Sequence, residues 1–287
     1  MAYPSCLIEE LAKYNARPTG DIEWDRAVLH TLRSRAQSAA AFEGMKLSSA
    51  VAKMEDEQSR AKQAFPDLSD EEVYGFHCRF LVRVANDILS LQSRKFVIDD
   101  NNRDILRFLL LYFNECPLAE EVFPGRGYKL HKNLILMGAV GVGKTLLMQI
   151  FSEYLRRVGN PRYFQCVSVT QVVNHYKLHN NMDLYTYNEE DLRGFQINPY
   201  HICLNDIGMD NAPFYGVDTL SVMNDFLHAR NELWSNLAIS DRRFTYLTTN
   251  LNVKQLGDTF KRKDAFGRTV DRFKTFNVID CPGESRR

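Results

Sequence analysis

The sequence lacks the features that mark secreted, membrane-spanning and zinc-binding proteins. Its six cysteines lie far apart and form no C-x-x-C pair, which argues against a zinc knuckle and against a disulfide framework. No window approaches the ~18 apolar residues that a helix needs to span a bilayer. Glu9 and Glu10 stand where a signal peptide would need its apolar stretch. We therefore expect a cytoplasmic protein that does not engage a membrane.

The sequence also has no excess of charge of either sign. Its 36 Lys and Arg residues balance 36 Asp and Glu residues, so overall charge does not favour binding to a polyanion. Any contact with nucleic acid must come from a local patch. Internal repeats and long low-complexity runs are missing too, whereas 18 Phe and 13 Tyr can fill a sizeable core. The length of 287 residues suggests two domains or one large one.

The N-terminal part of the chain predicts helices. Residues 34–64 are rich in Ala, Ser, Gln, Lys and Glu, which favour helix but offer little to bury. A better helix is predicted to start at Ser69, where S-D-E-E has the form of a capping box. Its apolar residues recur every three or four positions and predict one buried stripe: Val73, Phe76, Phe80, Val84, Ile88 and Leu91. A second, strongly apolar helix is predicted over residues 105–113.

From residue 132 onward, short apolar runs alternate with helical stretches. Near-continuous apolar runs are typical of strands that are buried on both faces of a parallel sheet. Strands are predicted at 133–137, 162–167, 201–204, 244–248 and 277–281, and helices at 145–158, 169–179 and 220–233. The alternation predicts an α/β fold, a parallel sheet flanked by helices, preceded by a smaller, mostly helical N-terminal region.

The first predicted strand runs directly into a glycine-rich loop of the form G-x-x-x-x-G-K-T, and a helix follows. Glycines let the backbone curl so that its N–H groups point at phosphate oxygens, and the helix N-terminus adds the positive end of its dipole. In such a P-loop the lysine reaches the β- and γ-phosphates, and the Thr hydroxyl ligates Mg²⁺. We therefore predict a nucleoside triphosphate site formed by Gly138, Ala139, Val140, Gly141, Val142, Gly143, Lys144 and Thr145.

Polar residues follow two later strands. Asn205 and Asp206 end the strand at 201–204, where P-loop ATPases place an Asp that holds the Mg²⁺ shell. We expect Asn205 and Asp206 to join Thr145 around the metal, with Asp206 the one carboxylate available to organise water. Asn250 follows the strand at 244–248, where its side chain could point at the γ-phosphate and orient the attacking water. The same T-T-N sequence also suits the start of a loop.

Five segments in this order resemble the AAA+ ATPases of the DnaC/IstB family, the replicative helicase loaders and their transposition relatives. They are KNLILMGAVGVGKT, NDIG, TYLTTNL, FGRTVDRF and GESRR, and the resemblance covers residues 132–287. It implies an AAA+ fold, ATP or ADP with Mg²⁺ as cofactors, and a nucleotide-dependent homo-oligomer. The family usually has Asp where this chain has Asn205, so we expect binding to be intact and hydrolysis to be slow, with stimulation by assembly or DNA.

The resemblance also assigns roles to arginines and to the N-terminal region. Arg268 or Arg272 would reach the ATP of the neighbouring subunit, and Arg287, with Arg286 as the alternate, would sense the γ-phosphate within its own subunit. We expect residues 1–100 to bind the partner, a replicative helicase or a transposase, and residues 101–287 to form the ATPase domain.

Three functions follow from these observations. The leading one is an ATPase that loads a replicative helicase onto DNA. A transposition helper of the IstB kind would use the same site with a transposase as its partner. A nucleotide-gated binding module with little hydrolysis would account for Asn205, although Asp206 and the paired arginines argue against it. A small-molecule kinase is disfavoured, because T-T-N and F-G-R-T-V-D-R have no evident role in one.

The stretch at 169–195 carries two further signals. In replication-initiator relatives, an extra helical element at this position lines a channel for single-stranded DNA. In this chain, the stretch carries residues that could combine phosphate contacts with base stacking: Tyr176, Lys177, Tyr185, Tyr187 and Arg193. Four acidic residues in the same stretch weaken that expectation. His175 and His179 have the spacing of two metal ligands on one helix face, but no third ligand is evident, so we interpret them as a polar helix face.

Overall fold

The computed structural model describes residues 4–36, 65–186, 201–208, 218–235, 242–264 and 266–286. The chain divides into two compact units, Met1–Gln63 and Ala64–Arg287. Residues 64–100, part of the region that we expect to bind the partner, belong to the second of these units. Within the described residues, no helix is long and apolar enough to cross a membrane.

The described part of the first unit is helical. It contains α1 (Ser5–Ala12) and α2, which begins at residue 22 and is described to residue 36. Leu7, Leu11 and Leu29 form its small buried cluster. The buried carboxylate of Asp25 accepts hydrogen bonds from the backbone N–H and the hydroxyl of Thr19, and it thereby fixes the turn before α2.

The described residues of the second unit form a five-stranded parallel sheet, in the order β2-β3-β4-β1-β5. The strands are β1 (Asn133–Met137), β2 (Phe164–Ser168), β3 (His201–Asn205), β4 (Thr245–Thr249) and β5 (Phe276–Asp280). The helices are α3 (Glu71–Ser90), α4 (Arg103–Phe113), α5 (Lys144–Val158), α6 (Val169–His179), α7 (Thr219–Ser235), α8 (Val253–Lys261) and α9 (Arg268–Arg272). A 3₁₀ turn covers Pro117–Glu121 and another covers Phe273–Thr275. The predicted α/β fold, a parallel sheet with flanking helices after a small helical region, is confirmed.

Both faces of the sheet are covered, as the apolar strands predict. Leu134 and Leu136 of β1 belong to a core with α3, α4 and α5 on one face of the sheet. Ile135 and Met137 belong to the core on the opposite face, with α6, α7 and α8. Because successive side chains of a strand point to opposite faces, one five-residue strand serves both cores.

The predicted start of α3 is wrong by two residues. Asp67 accepts hydrogen bonds from the N–H of Ser69, at 3.0 Å, and from its hydroxyl, at 2.5 Å, and Ser69 belongs to the turn that precedes the helix. The N-cap is Asp70, whose carboxylate accepts from the N–H groups of Glu72 and Val73 at 2.8 and 3.0 Å. An ionised carboxylate at this position also stabilises the positive end of the helix dipole.

The predicted apolar stripe on α3 is only partly correct. Phe76 is 56% exposed and Leu91 is 90% exposed, whereas Val84 is fully buried. The side chains that α3 buries are His77, Leu81, Val84, Ala85 and Leu89. The contact face includes His77 because its ring Nδ1 lies 2.7 Å from the hydroxyl of Tyr154 on α5, which gives a buried polar group its partner.

Candidate nucleotide-binding site

The glycine-rich loop leaves the carboxyl end of β1 and leads directly into α5, which begins at Lys144. Two of its glycines are required by close neighbours and by backbone conformation. Gly138 has φ +155°, and a Cβ there would collide with the backbone carbonyl of Cys281. Gly141 has φ +88°, and a Cβ there would collide with the Ser285 side chain. The loop can therefore curl as a phosphate-binding loop does only without side chains at these positions.

The ammonium group of Lys144 is held inside the loop. This side chain is only 4% exposed, and its Nζ donates hydrogen bonds of 2.8 Å to the carbonyl oxygens of Gly138 and Ala139 and to Oδ1 of Asn250. Burial lowers the pKa of Lys144, while the negative charge of Asp206 opposes that shift. A buried cation with neutral acceptors around it is suited to a phosphate, whose charge would offset the cost of its burial.

Polar residues that follow three parallel strands in the chain meet at one edge of the sheet. Thr145, Asp206 and Asn250 line the same pocket of about 600 Å³ as Lys144. This agrees with the expectation that residues after β1, β3 and β4 converge, because β4 lies between the other two. The Thr145 hydroxyl and the Asp206 carboxylate are the hard oxygen ligands that Mg²⁺ prefers, and Mg²⁺ takes its other ligands from water and substrate phosphates. The residues present therefore fit the metal.

Asn205 lies at the end of β3 but differs from Asp206 in its contacts. It is 6% exposed, and its Oδ1 accepts hydrogen bonds from the Thr248 hydroxyl at 3.2 Å and from the Cys203 thiol at 3.7 Å. It is not among the described residues that line the pocket. Asn205 can therefore ligate a metal only if its amide leaves Thr248.

The C-terminal segment returns across the loop. The N–H of Arg286 donates to the carbonyl of Gly141 at 2.9 Å, and its guanidinium lies in the pocket, where Nη2 is 2.8 Å from the Asp99 carboxylate. This hydrogen bond lowers the pKa of Asp99. Arg286, the alternate to Arg287 as the γ-phosphate sensor, is thus at the pocket wall. Arg287 lies outside the described residues.

Sequence reasoning missed one wall of the pocket, which comes from the segment between α3 and α4. The segment is pinned by side-chain amides: Asn86 accepts from the N–H of Phe96 at 2.8 Å, and Asn102 donates to the carbonyl of Val97 at 2.9 Å. Its pocket-lining residues, with Leu89 from the end of α3, are Gln92, Arg94, Lys95, Phe96, Val97, Asp99 and Asn102. The only signal in the sequence is the break in apolar periodicity at 96–101, and a break does not say what the segment contacts.

The two candidate arginines of α9 have different surroundings, although four residues separate them. Arg268 is exposed, and its guanidinium lies 5.2 Å from the ring centre of Phe266, which is itself 85% exposed. Arg272 is half-buried, and burial lowers its pKa. Its Nη1 is buried and has no hydrogen-bond partner among the residues that the structure describes. Arg268 is therefore the arginine that a neighbouring molecule can reach.

The predicted DNA-stacking residues are not all available. The ring of Tyr185 is 7% exposed and packs edge-on against Phe226 and His175, so the expectation that it stacks on bases is wrong. Tyr176 is half-buried, and Tyr187 and Arg193 lie outside the described residues. The rings of His175 and His179 are 4.4 Å apart on α6.

No family model and no curated protein matches the sequence. Solved structures that the comparison matches to this chain include AMPPCP-bound DnaA from Aquifex aeolicus, with 17% identity and a TM-score of 0.40, and domain III of the replication initiation protein DnaA from Thermotoga maritima, with 17% and 0.41. DnaI also has 17% identity and a TM-score of 0.41. The matches cover 66%, 65% and 66% of this chain and, in the same order, 49%, 65% and 89% of those chains. This chain thus spans about half the length of the DnaA from Aquifex aeolicus. By its own geometry, the chain is an α/β protein with a glycine-rich G-x-x-x-x-G-K-T loop between the carboxyl end of β1 and α5.

Proposed function

We propose that this chain is a P-loop ATPase of the DnaC/IstB kind that acts in DNA replication by loading a replicative helicase onto DNA. The observation that carries the proposal is the single pocket in which Lys144, Thr145, Asp206 and Asn250 meet the glycine-rich loop. Each of these side chains supplies one part of phosphoryl-transfer chemistry. The resemblance of residues 132–287 to that family supports the choice of process and of partner.

The chemistry of the site follows from its residues. Lys144 would exchange its carbonyl acceptors for β- and γ-phosphate oxygens and neutralise their charge. Bound Mg²⁺, held by Thr145 and Asp206, would supply further neutralisation of the charge that develops on the phosphates. Asp206 would accept a hydrogen bond from the attacking water, and Asn250, released from Lys144, would orient that water. Binding and positioning dominate this reaction, since phosphoryl transfer requires little covalent chemistry from the protein.

One observation favours a second function, the nucleotide-gated binding module with slow hydrolysis. Asn205 supplies no carboxylate at the end of β3, and its amide is engaged with Thr248. Among the described residues that line the pocket, Asp206 is then the one acidic side chain at the end of β3. The rate of ATP hydrolysis distinguishes the two functions, because a gated binding module needs only to bind ATP, whereas an ATPase must also hydrolyse it. A transposition helper would share this site and differ in its partner.

The test of the proposed function is a comparison of ATP binding and hydrolysis, with and without single-stranded DNA. Asp206→Asn should bind ATP within about threefold of the wild type and lose most hydrolysis, because the P-loop contacts stay while the water loses a charged acceptor that can take its proton. Asp258→Asn, an exposed carboxylate on α8, is the matched control and should hydrolyse ATP normally. Hydrolysis by Asp206→Asn at the wild-type rate would contradict the assignment.

The partner requires its own measurement. The full chain is mixed with a replicative helicase and single-stranded DNA, and helicase on the DNA is counted with ATP and without nucleotide. We expect more helicase on the DNA with ATP, and no such gain with the Lys144→Ala chain. A chain that instead forms an ATP-dependent complex only with a transposase would favour the transposition helper.

A further inference from the structure

The hydroxyl of Thr248 connects β4 to the residues that end β3. Thr248 is fully buried, and its Oγ1 accepts a hydrogen bond of 3.1 Å from the backbone N–H of Asp206. The same oxygen lies 3.2 Å from Oδ1 of Asn205. Because an amide oxygen can only accept, the Thr248 hydroxyl must donate to it. One hydroxyl thus holds both residues of the N-D pair at once.

Asp206 needs such a restraint because its backbone is unusual. Its φ is +61°, in the left-handed region that residues with a Cβ rarely adopt. Two further bonds fix the same turn to β4: Ile207 N–H donates to the Thr248 carbonyl at 2.9 Å, and the Thr249 hydroxyl donates to the Ile207 carbonyl at 2.7 Å. The direction of the Asp206 side chain into the pocket follows from this turn.

We propose that Thr248 is a positioning residue that sets the Asp206 carboxylate against the nucleotide, with Asn205 as the acceptor that orients the Thr248 hydroxyl. The inference rests on the proposed function, since it concerns the same pocket. It gives Asn205 a role other than metal ligation. The two contacts of the Asn205 side chain oxygen are a hydroxyl and a thiol, and a neutral amide suits them. A carboxylate at this position would be a buried negative charge, and neither of these two contacts is a cation that could offset it.

The experiment compares Thr248→Val, which keeps the shape and removes the hydroxyl, with Thr248→Ser, which keeps the hydroxyl and removes the methyl group. The measurements are the Kd for ATP in excess EDTA, the kcat, and the Mg²⁺ concentration at half-maximal stimulation of ATP binding. For Thr248→Val we expect a Kd in EDTA within about twofold of the wild type, a kcat lower by about tenfold, and a higher Mg²⁺ midpoint. Thr248→Ser should restore kcat and the midpoint to within about threefold of the wild type.

Each outcome decides the question. Thr248→Val with wild-type kcat and Mg²⁺ midpoint would overturn the inference and leave the proposed function intact. A serine variant as impaired as the valine variant would overturn it too, since packing would then explain the loss. If Thr248→Val does not fold, Thr248→Cys takes its place, because a thiol of similar size is a weak hydrogen-bonding group. A wild type that binds no ATP would instead overturn the proposed function.

Discussion

At the residue scale, the pocket depends on contacts between residues that are far apart in the chain. The loop is closed against the C-terminal segment at Gly141, where Arg286 N–H donates to the Gly141 carbonyl and Ser285 lies against the glycine Cα. The guanidinium of Arg286 also contacts the Asp99 carboxylate on the opposite wall of the pocket. A change at Gly141 should therefore alter nucleotide binding as well as stability.

We predict that Gly141→Ala lowers ATP affinity by about tenfold or more, because the new Cβ must displace Ser285 and with it the loop. The matched control is Gly125→Ala. Gly125 also has positive φ, at +80°, but no atom lies within 4 Å of its added Cβ. The control should lose about 1–2 kcal/mol of stability to backbone strain and keep its ATP affinity. Calorimetric titration with ATP and urea unfolding measure both quantities, and equal ATP affinities would refute the prediction.

Surroundings that are formed by residues close together in the chain can be predicted from the sequence, whereas contacts between distant residues cannot. Lys144 and Thr145 could be placed because a strand, a glycine-rich loop and a helix define their surroundings within about fifteen residues. The pair between Arg286 and Asp99 spans 187 residues and depends on how α3, α4 and the C-terminal segment pack. No local pattern encodes that packing. The same reason explains why Asn205 could be placed at a strand end but its bond to Thr248 could not be foreseen.

At the scale of elements, the positions of the strands can be predicted from residue composition, whereas the buried face of α3 cannot. The five predicted apolar runs correspond to the five parallel strands, and no strand end differs from its prediction by more than two residues. β2 starts two residues later and ends one residue later, β3 ends one residue later, β4 is shifted one residue later, and β5 is shifted one residue earlier. On α3, apolar residues occur on more than one face, so periodicity alone could not decide that Phe76 is exposed and His77 is buried. The bond of His77 to Tyr154 decides it, and that bond is tertiary.

His201, the first residue of β3, gives a testable pH dependence. Its Nδ1 accepts a hydrogen bond of 2.8 Å from the Phe244 N–H, and burial, with the charges of Arg243, Arg162 and Arg230, lowers its pKa to about 3. In the unfolded chain the pKa of this imidazole returns to about 6.5. The unfolded state therefore binds the extra proton between pH 6.5 and pH 3, and the free energy of unfolding falls as the pH falls through that window.

From pH 7 to pH 5, proton uptake by His201 in the unfolded chain should lower the free energy of unfolding by about 2 kcal/mol. His201→Gln has no titrating group there, so its free energy of unfolding should fall by about 2 kcal/mol less over the same range. Urea unfolding of both chains at the two pH values gives the comparison. Equal losses in the two chains would show that His201 is not the group responsible.

At the scale of the whole molecule, we propose that a neighbouring copy of the chain completes the nucleotide site. Arg268 is exposed beside an exposed Phe266, whereas the guanidinium of Arg272 is partly buried in its own chain. An arginine that contacts the transferred phosphoryl group of a neighbour is worth ~10³–10⁵ in rate in GTPases. A surface arginine without that role would contribute ~0–1 kcal/mol through an ion pair.

Mixing two inactive chains tests the assembly. Arg268→Ala should bind ATP and fail to hydrolyse it, and Lys144→Ala should keep its arginine and lose ATP. Together they should form some complete sites, so that part of the activity returns at concentrations where the wild type assembles. Arg272→Ala should lower the unfolding temperature, because this side chain is half-buried. A mixture no more active than its two components would refute the role of Arg268 in a neighbouring site.

The central claim is that the loop around Lys144 binds the phosphates of ATP, and equilibrium binding of ATP in the presence of Mg²⁺ tests it most directly. The wild type should bind ATP, and Lys144→Ala should bind it about 10- to 100-fold more weakly, because a buried cation that contacts charged phosphates is removed. Lys254→Ala, an exposed lysine on α8, should bind like the wild type. Equal affinities of the wild type and Lys144→Ala for ATP would contradict the account.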